Sequence, residues 1–212
     1  IKDSGRSSIL IQDNGSGMTR NDAAMCFTRH ATSKLKNVED LFQLKTKGFR
    51  GEALASIASI AHVTLKSRTE NQKDTGTCIE MNGGTPTRNE ECICEKGTSV
   101  EVKNIFFNVP ARRTFLKSDT AEFSHLRNEF ERVALAHTDI GFVLTHNGNE
   151  IHNVNPSNLR KRITDVFGLK SNEKLVPIEE KTDIVSIKGF VGKPESAKKS
   201  RGEQYFFVNS RF

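Results

Sequence analysis

The 212-residue sequence has no tryptophan and a single tyrosine, Tyr205, so its aromatic packing rests on 14 phenylalanines. No apolar run approaches the roughly 20 residues that cross a bilayer as a helix, which excludes a helical membrane span. No signal peptide is visible. Cysteine is sparse, with Cys26, Cys78, Cys92 and Cys94 only. Cys92-Ile93-Cys94 is too tight for a usual zinc knuckle, and no further Cys or His pair follows at ligand spacing. The four are expected to be reduced thiols of an intracellular protein. The six histidines form no i, i+4 metal pair, and the carboxylates are not spaced as an EF-hand loop. No metal ligand is therefore expected in the chain. No zinc finger, homeodomain-like helix or aromatic stacking platform is present, which sets base-specific nucleic-acid readout aside.

What the chain does have is an excess of positive charge. Thirty-two Lys and Arg face 26 Asp and Glu, for a net charge of +6 and a pI near 9.2. Such a balance favours an acidic partner. The basic residues cluster. Arg112 and Arg113 follow Pro110 in an expected loop, and Arg160, Lys161 and Arg162 lie on an expected short helix. Lys198, Lys199 and Arg201 crowd a stretch of low apolar content. These residues suit sequence-independent contacts to DNA phosphates. Solvated surface charge is an equally open reading, above all for Lys198-Lys199-Ser200-Arg201.

Three short motifs carry the chemistry. In Gly48-Phe49-Arg50-Gly51-Glu52-Ala53-Leu54, two glycines flank an arginine ahead of an apolar helical run. Leu54, Ile57, Ala58 and Ala61 recur at helical spacing and predict a helix over about 51–61. The first N–H groups of a helix lack internal partners, and glycine lets an anion approach the backbone there. Alone, however, Gly-x-x-Gly reads first as the end of one element and the start of another. Asp13-Asn14-Gly15-Ser16-Gly17 closes the apolar run Ile9-Leu10-Ile11. A carboxylate held at a strand end can accept from an exocyclic purine amine, and flanking glycines let a flat base lie against the backbone. An ordinary Asp-Asn-Gly turn is the plainer reading of that motif in isolation. Between the two motifs, the long polar segment over about 28–47 carries Thr32, Ser33 and Lys34. It reads either as a binding lid or as a solvated basic loop.

The coarse organisation predicts two layered α+β units. Thr19 and Asp22 stand in capping-box spacing at the start of a helix over 19–27. Strands are expected over 62–67, 77–81 and 99–102. The clearest helix covers about 119–136, with Phe123, Leu126, Phe130 and Val133 on one apolar face. Asn147-Gly148 signals a hairpin between 142–146 and 150–154. Beyond Pro156, Leu159, Ile163, Val166 and Phe167 predict a helix that Gly168 closes, followed by strands around 184–191 and 204–208.

Taken together, the three motifs resemble the GHKL ATPase superfamily. Asp13-x-Gly15-x-Gly17, a lid, the Gly48 turn and Gly97-Thr98 on a later strand fit gyrase-type, Hsp90-type, histidine-kinase and MutL proteins alike. Arg29-His30-Ala31-Thr32-Ser33-Lys34, Gly48-Phe49-Arg50-Gly51-Glu52-Ala53-Leu54-Ala55-Ser56-Ile57 and Asn108-Val109-Pro110-Ala111-Arg112-Arg113 are narrower. They resemble the MutL mismatch-repair family, of bacterial type, along essentially the whole chain.

The resemblance implies a GHKL (Bergerat) α/β sandwich with a mixed sheet over 1–155. It implies the start of a ribosomal-S5-like α+β transducer domain over 156–212. It implies ATP with Mg2+, the adenine amino group on Asp13, Gly17 beside the base, and Thr32, Ser33 and Lys34 in the lid. Gly48, Phe49, Arg50, Gly51 and Glu52 would form the triphosphate-facing turn, and Thr98 would floor the pocket. Non-specific DNA binding, an ATP-linked homodimer, the mismatch-recognition protein MutS and downstream repair factors as partners, and a cytoplasmic, nucleoid-associated location follow on the same basis. The family's general base is a glutamate on a helix preceding Asp-x-Gly-x-Gly. Its magnesium ligand is an asparagine one turn further along. A lysine of its second domain reaches the γ-phosphate. All three are expected outside this chain, so no catalytic residue is assigned within it, Glu52 included, and the piece alone is expected to be inactive. A non-catalytic nucleic-acid-binding scaffold on the same fold is the alternative. An upstream helix with Glu and Asn one turn apart would decide between the two.

Overall fold

The computed structural model of the chain describes residues 1–31, 48, 51–197 and 203–212. They form two compact units, Ile1–Phe123 and Ser124–Phe212.

The first unit is built on a five-stranded sheet. Its elements are β1 (Ser8–Asp13), α1 (Arg20–Met25), α2 (Ala53–Ala58), β2 (His62–Arg68), β3 (Thr75–Asn82), β4 (Thr85–Ile93), β5 (Gly97–Lys103) and α3 (Pro110–Arg113). The strand order is β1-β5-β2-β3-β4. Every described pairing is antiparallel, so the mixed character expected of this sheet does not arise among the described residues. Alternation places Val63 and Leu65 of β2 and Ile79 and Met81 of β3 on one face. Ala23 of α1, Ala58 of α2 and Ala61 pack there with no exposed surface. Three alanines at the contact let both short helices lie close to the sheet, and Leu54, Ile57, Val100 and Val102 complete the core. Thr19 caps α1, its hydroxyl oxygen accepting from the Asp22 N–H at 3.3 Å. The helix expected over 51–61 is shorter in the structure, Ala53–Ala58.

β4 has no counterpart among the expected strands. Its sequence, Thr-Pro-Thr-Arg-Asn-Glu-Glu-Cys-Ile, is polar because it is an edge strand with most side chains exposed. Pro86 sits where the register with β3 shifts, a position that tolerates its missing N–H.

The second unit takes most of α4 (Asp119–Ala136), then β6 (Phe142–His146), β7 (Asn149–Val154), α5 (Leu159–Phe167), β8 (Leu175–Lys181) and β9 (Ser186–Gly192). The β6–β7 hairpin turns at Asn147 and Gly148, both at positive φ (51° and 82°), as a two-residue turn of this hand requires. Ala134, Val154 and Val166 form the core, with Phe130, Phe142 and Phe167 against it. The face of α4 departs from the expected one. Val133 is exposed, whereas Glu131 is buried. Glu131 is drawn inward because the Tyr205 hydroxyl donates to its Oε2 at 3.0 Å and Arg127 lies 3.4 Å from its Oε1. The strand expected over 204–208 is absent from the structure. Asn209 and Ser210 adopt left-handed backbone angles and reverse the chain, so that among the described residues Val208 bridges to Arg211 alone. β8 was not expected, since Pro177 interrupts its apolar pattern.

Candidate functional site

Strand register sets three polar side chains side by side. Asp13 of β1 lies opposite Thr98 of β5, and Thr98 lies opposite Ser67 of β2. Directly opposed residues in adjacent strands share a face. The exposed Asp13 carboxylate is anchored through one oxygen only. Its Oδ1 accepts the Gly15 N–H at 2.9 Å and the Thr98 N–H at 3.2 Å. Among the described residues, Oδ2 accepts no hydrogen bond and stays available to a donor.

Ser67 anchors the other end of the row and is fully buried. Its hydroxyl oxygen accepts the Met18 N–H at 2.8 Å, donates to the Gly97 carbonyl at 3.0 Å and lies 2.9 Å from Thr98 Oγ1. The sequence reading did not single out Ser67. The available signal was its phase, since it follows Val63 and Leu65 at the inward positions of β2, where a hydroxyl needs a partner.

Backbone contacts fix this row. Gly17 has φ +68°, and a Cβ there would lie 2.0 Å from the Arg68 carbonyl oxygen. Gly97 has φ +113°, and a Cβ there would lie 2.1 Å from the Asp13 carbonyl oxygen. The Asp13 turn, the start of β5 and the end of β2 therefore meet main chain to main chain.

The second part of the site lies before α2. A Cβ on Gly51 would lie 2.3 Å from the Ala31 carbonyl oxygen, so Gly51 rests against the first residues of the polar segment. The pair His30 Nδ1–Glu52 Oε1, at 2.8 Å, fastens the same two stretches. Glu52 occupies the N-cap position of α2 without capping it. Among the described residues, a Cβ on Gly48 would meet nothing within 4 Å. Thr32, Ser33, Lys34, Phe49 and Arg50 lie outside the described residues.

The basic candidates divide. Arg112 and Arg113 sit exposed on α3 rather than in a loop. The chain leading into α3 is docked by Asn108 Nδ2 donating to the Ser59 carbonyl at 2.9 Å and by the Phe106 N–H donating to the Ile60 carbonyl at 2.7 Å. Lys161 is exposed and pairs with Asp165 at 3.0 Å. Arg160 is half-buried, its guanidinium donating to Asn172 Oδ1 at 2.7 Å and to the Asn172 carbonyl at 2.9 Å.

Arg162 overturns its expected role as a phosphate contact. It has no exposed surface. Its guanidinium donates to the carbonyls of Ala134, His137, Thr138, Ile140 and Asn155, at 2.6 to 3.2 Å. Those carbonyls belong to the end of α4 and the turns around β6 and β7, so Arg162 ties these chain ends together, adding to the backbone bonds that Thr138 and His137 accept from Ser157 and Ile140. Burial lowers its pKa from the ordinary arginine value. Lys198, Lys199 and Arg201 lie outside the described residues.

The four cysteines are free. Burial pushes the Cys26 thiol up to about 11. Burial, then the neighbouring Cys94, does the same to Cys92. Among the described residues no three His, Cys, Asp or Glu side chains converge as a metal site, and no helix is long and apolar enough to cross a membrane.

Two family models match the chain. Residues 2–103 match the "histidine kinase-, DNA gyrase B-, and HSP90-like ATPase" model. Residues 163–212 match the "DNA mismatch repair protein, C-terminal domain" model. The chain is 59% identical to the DNA mismatch repair protein MutL of Christiangramia forsetii, across all of this chain and 34% of that protein. It is 58% identical to MutL of Flavobacterium johnsoniae, across all of this chain and 33% of that protein. It thus spans about a third of the length of the curated relatives it matches. The Aquifex aeolicus MutL ATPase domain complexed with ADP superposes with a TM-score of 0.70 at 27% identity, covering 97% of this chain and 70% of that one. The N-terminal domain of a DNA repair protein superposes with a TM-score of 0.81 at 26% identity, covering the whole of this chain and 66% of that one. On its sequence and its fold, this chain belongs to the MutL family of GHKL-type ATPases, as a segment of such a protein.

Proposed function

We propose that this segment binds the adenine nucleotide of a MutL-type mismatch-repair ATPase. The observation that carries the reading is the Asp13 carboxylate, held through Oδ1 by two backbone N–H groups with Oδ2 left open. Fixing one oxygen orients the other without using it. A purine amino group approaching Oδ2 gains a hydrogen bond to a charge, worth about 1.5–3 kcal/mol. Gly17 lies beside the base, and Thr98 forms the floor next to Asp13. On the family resemblance, Gly48, Phe49, Arg50, Gly51 and Glu52 would serve the triphosphate, and Thr32, Ser33 and Lys34 would belong to the lid. The contact of Gly51 with Ala31 supports this by joining the phosphate turn to the root of the lid.

ATP with Mg2+ is the expected ligand. The chain's own residues orient the base and cradle the phosphates. Water activation and metal ligation fall to the upstream Glu and Asn that the resemblance implies. In the full protein, ATP turnover would drive closure and homodimerisation that couple MutS recognition of a mismatch to downstream repair in the cytoplasm, at the nucleoid. DNA phosphates would be met by Arg112 and Arg113 and by Lys198, Lys199 and Arg201, with Lys161 available and Arg160 largely committed to Asn172. We place the ATPase domain over 1–155 and the start of the transducer domain over 156–212. The two family matches, 2–103 and 163–212, fall on either side of this division, whereas the compact units divide earlier, between Phe123 and Ser124.

The test is a calorimetric titration of the protein at its natural length with ADP and with a nonhydrolysable ATP analogue. Micromolar or tighter binding is expected, with at least tenfold weakening by Asp13→Asn. Equal affinity in wild type and D13N would remove Asp13 from the site and the reading with it.

A further inference from the structure

Ser67 has one proton and three hydrogen-bonding neighbours. Its oxygen accepts from the Met18 N–H, and its proton has two candidate acceptors, the Gly97 carbonyl at 3.0 Å and Thr98 Oγ1 at 2.9 Å. Only one arrangement makes all three bonds at once. Ser67 donates to Gly97, and Thr98 donates to Ser67. Full burial removes water as an alternative partner for Ser67. The proton of Thr98 is thereby directed away from Asp13, and what Thr98 offers the rest of the site is lone pairs only. The same strand position gives its backbone N–H to Asp13 Oδ1. Both donors of Thr98 are then engaged within the protein.

We infer that Ser67 is a positioning residue that fixes Thr98 as a hydrogen-bond acceptor, so that Asp13 and Thr98 present an edge able only to accept. Such an edge selects a purine with an amino group at position 6 and rejects one with an oxo group there. Specificity of this kind comes from buried groups that cannot reverse their polarity to suit the wrong ligand. If Thr98 were a free rotor, its hydroxyl would turn to donate to a 6-oxo group and blunt the discrimination. The row across β1, β5 and β2 explains how a residue that the base does not touch takes part in choosing it.

The inference rests on the adenine-nucleotide reading above, and the experiment separates the two. Dissociation constants for ADP and IDP are measured on the protein at its natural length, for wild type, Ser67→Ala and Thr98→Val. IDP carries an oxo group in place of the 6-amino group of ADP and bears a proton on N1, which in ADP is an acceptor. In S67A the Thr98 proton is released, and the ADP preference over IDP is expected to shrink by on the order of tenfold, mainly through tighter IDP binding. In T98V the acceptor is gone. ADP is expected to weaken while IDP does not, so the preference shrinks again. An unchanged ADP:IDP ratio in folded S67A would overturn the inference while leaving the nucleotide reading intact. If S67A fails to fold, T98V decides, since a free rotor predicts equal weakening of both ligands. Failure of wild type to bind ADP would overturn the nucleotide reading, and this inference with it.

Discussion

Two buried polar networks sit in the two units of this chain, and they differ in what they leave unused. Around Arg162, five carbonyl oxygens converge on one guanidinium, and the group faces nothing outside the protein. Around Ser67, three bonds close on a hydroxyl, but the row it belongs to ends in an open carboxylate oxygen at Asp13. Both are high-stakes arrangements, because an unpaired polar group in the interior is costly. The first commits both terminal nitrogens to holding chain ends together and leaves its buried Nε without a partner among the described residues. The second holds its inner members rigid so that the outer one can receive a ligand. Spare hydrogen-bonding capacity that a ligand can reach, as at the exposed Asp13 and not at the buried Arg162 Nε, separates the binding network from the structural one.

The largest expected effect lies on the structural side. Arg162→Met removes the donor to five carbonyls and is expected to destabilise the second unit by about 3–5 kcal/mol. A large fall in the urea midpoint would be read alongside ADP affinity in whatever folded fraction remains. A stability change below about 1 kcal/mol would place Arg162 among ordinary surface cations. Next comes Asp13→Asn, the converse case. Stability should move by less than about 1 kcal/mol, since the anchoring N–H bonds survive on the amide oxygen. Nucleotide affinity should fall about tenfold to a hundredfold, and a thermal melt run with and without ADP reads both quantities. Ser67→Ala falls between the two, with an expected loss of about 1–3 kcal/mol as the Met18 N–H loses its acceptor. A neutral result in chemical denaturation would mean that water replaces the hydroxyl and that the row is not rigid.

The smallest effect is a pH dependence. Burial, then the charge of Glu131, raises the Tyr205 pKa above its ordinary value of 10.0. The folded state therefore keeps this proton where the unfolded state loses it. Stability from this group is complete below pH 10 and declines above it, by at most about 1.4 kcal/mol per pH unit. Tyr205→Phe should flatten that part of the profile between pH 10 and 11 relative to wild type, with no change near pH 7. The half-buried thiols Cys26 and Cys92 add slope in the same range and cancel in the comparison.

Much of this was legible in the residues. Asp13, Gly17 and Gly51 stand out from punctuation around apolar runs, Thr98 enters only through the family resemblance, and the structure brings Asp13, Gly17 and Thr98 to one corner. The helix over 119–136 and the Asn147-Gly148 turn stand where periodicity and turn chemistry place them. Arg162 was misread because three consecutive basic residues look like a patch. Helical phase held the correction: Arg162 stands three residues after Leu159 and four before Val166, on the apolar side of α5. Ser67 was missed because a single serine in a strand carries no composition signal, and its partners come from two distant stretches, Met18 ahead of α1 and Gly97 and Thr98 of β5. β4 escaped because an exposed edge strand has no apolar face to reveal it. The inward turn of Glu131 depends on Tyr205, a residue 74 positions away, and no local pattern can anticipate such a pairing.

The glycines at 17 and 97 carry a consequence of their own. The corner that orients Asp13 is shaped by two positions that have no side chain at all. Its shape is stored as forbidden volume, in places where any added atom would fall inside a neighbouring carbonyl. Such a corner resists gradual remodelling. The residues around it can drift in size and polarity, but the angle between the strand ends has no adjustable part. An altered ligand preference would have to be reached through the hydroxyls of Ser67 and Thr98 or the carboxylate of Asp13, because the frame that holds them has only one size.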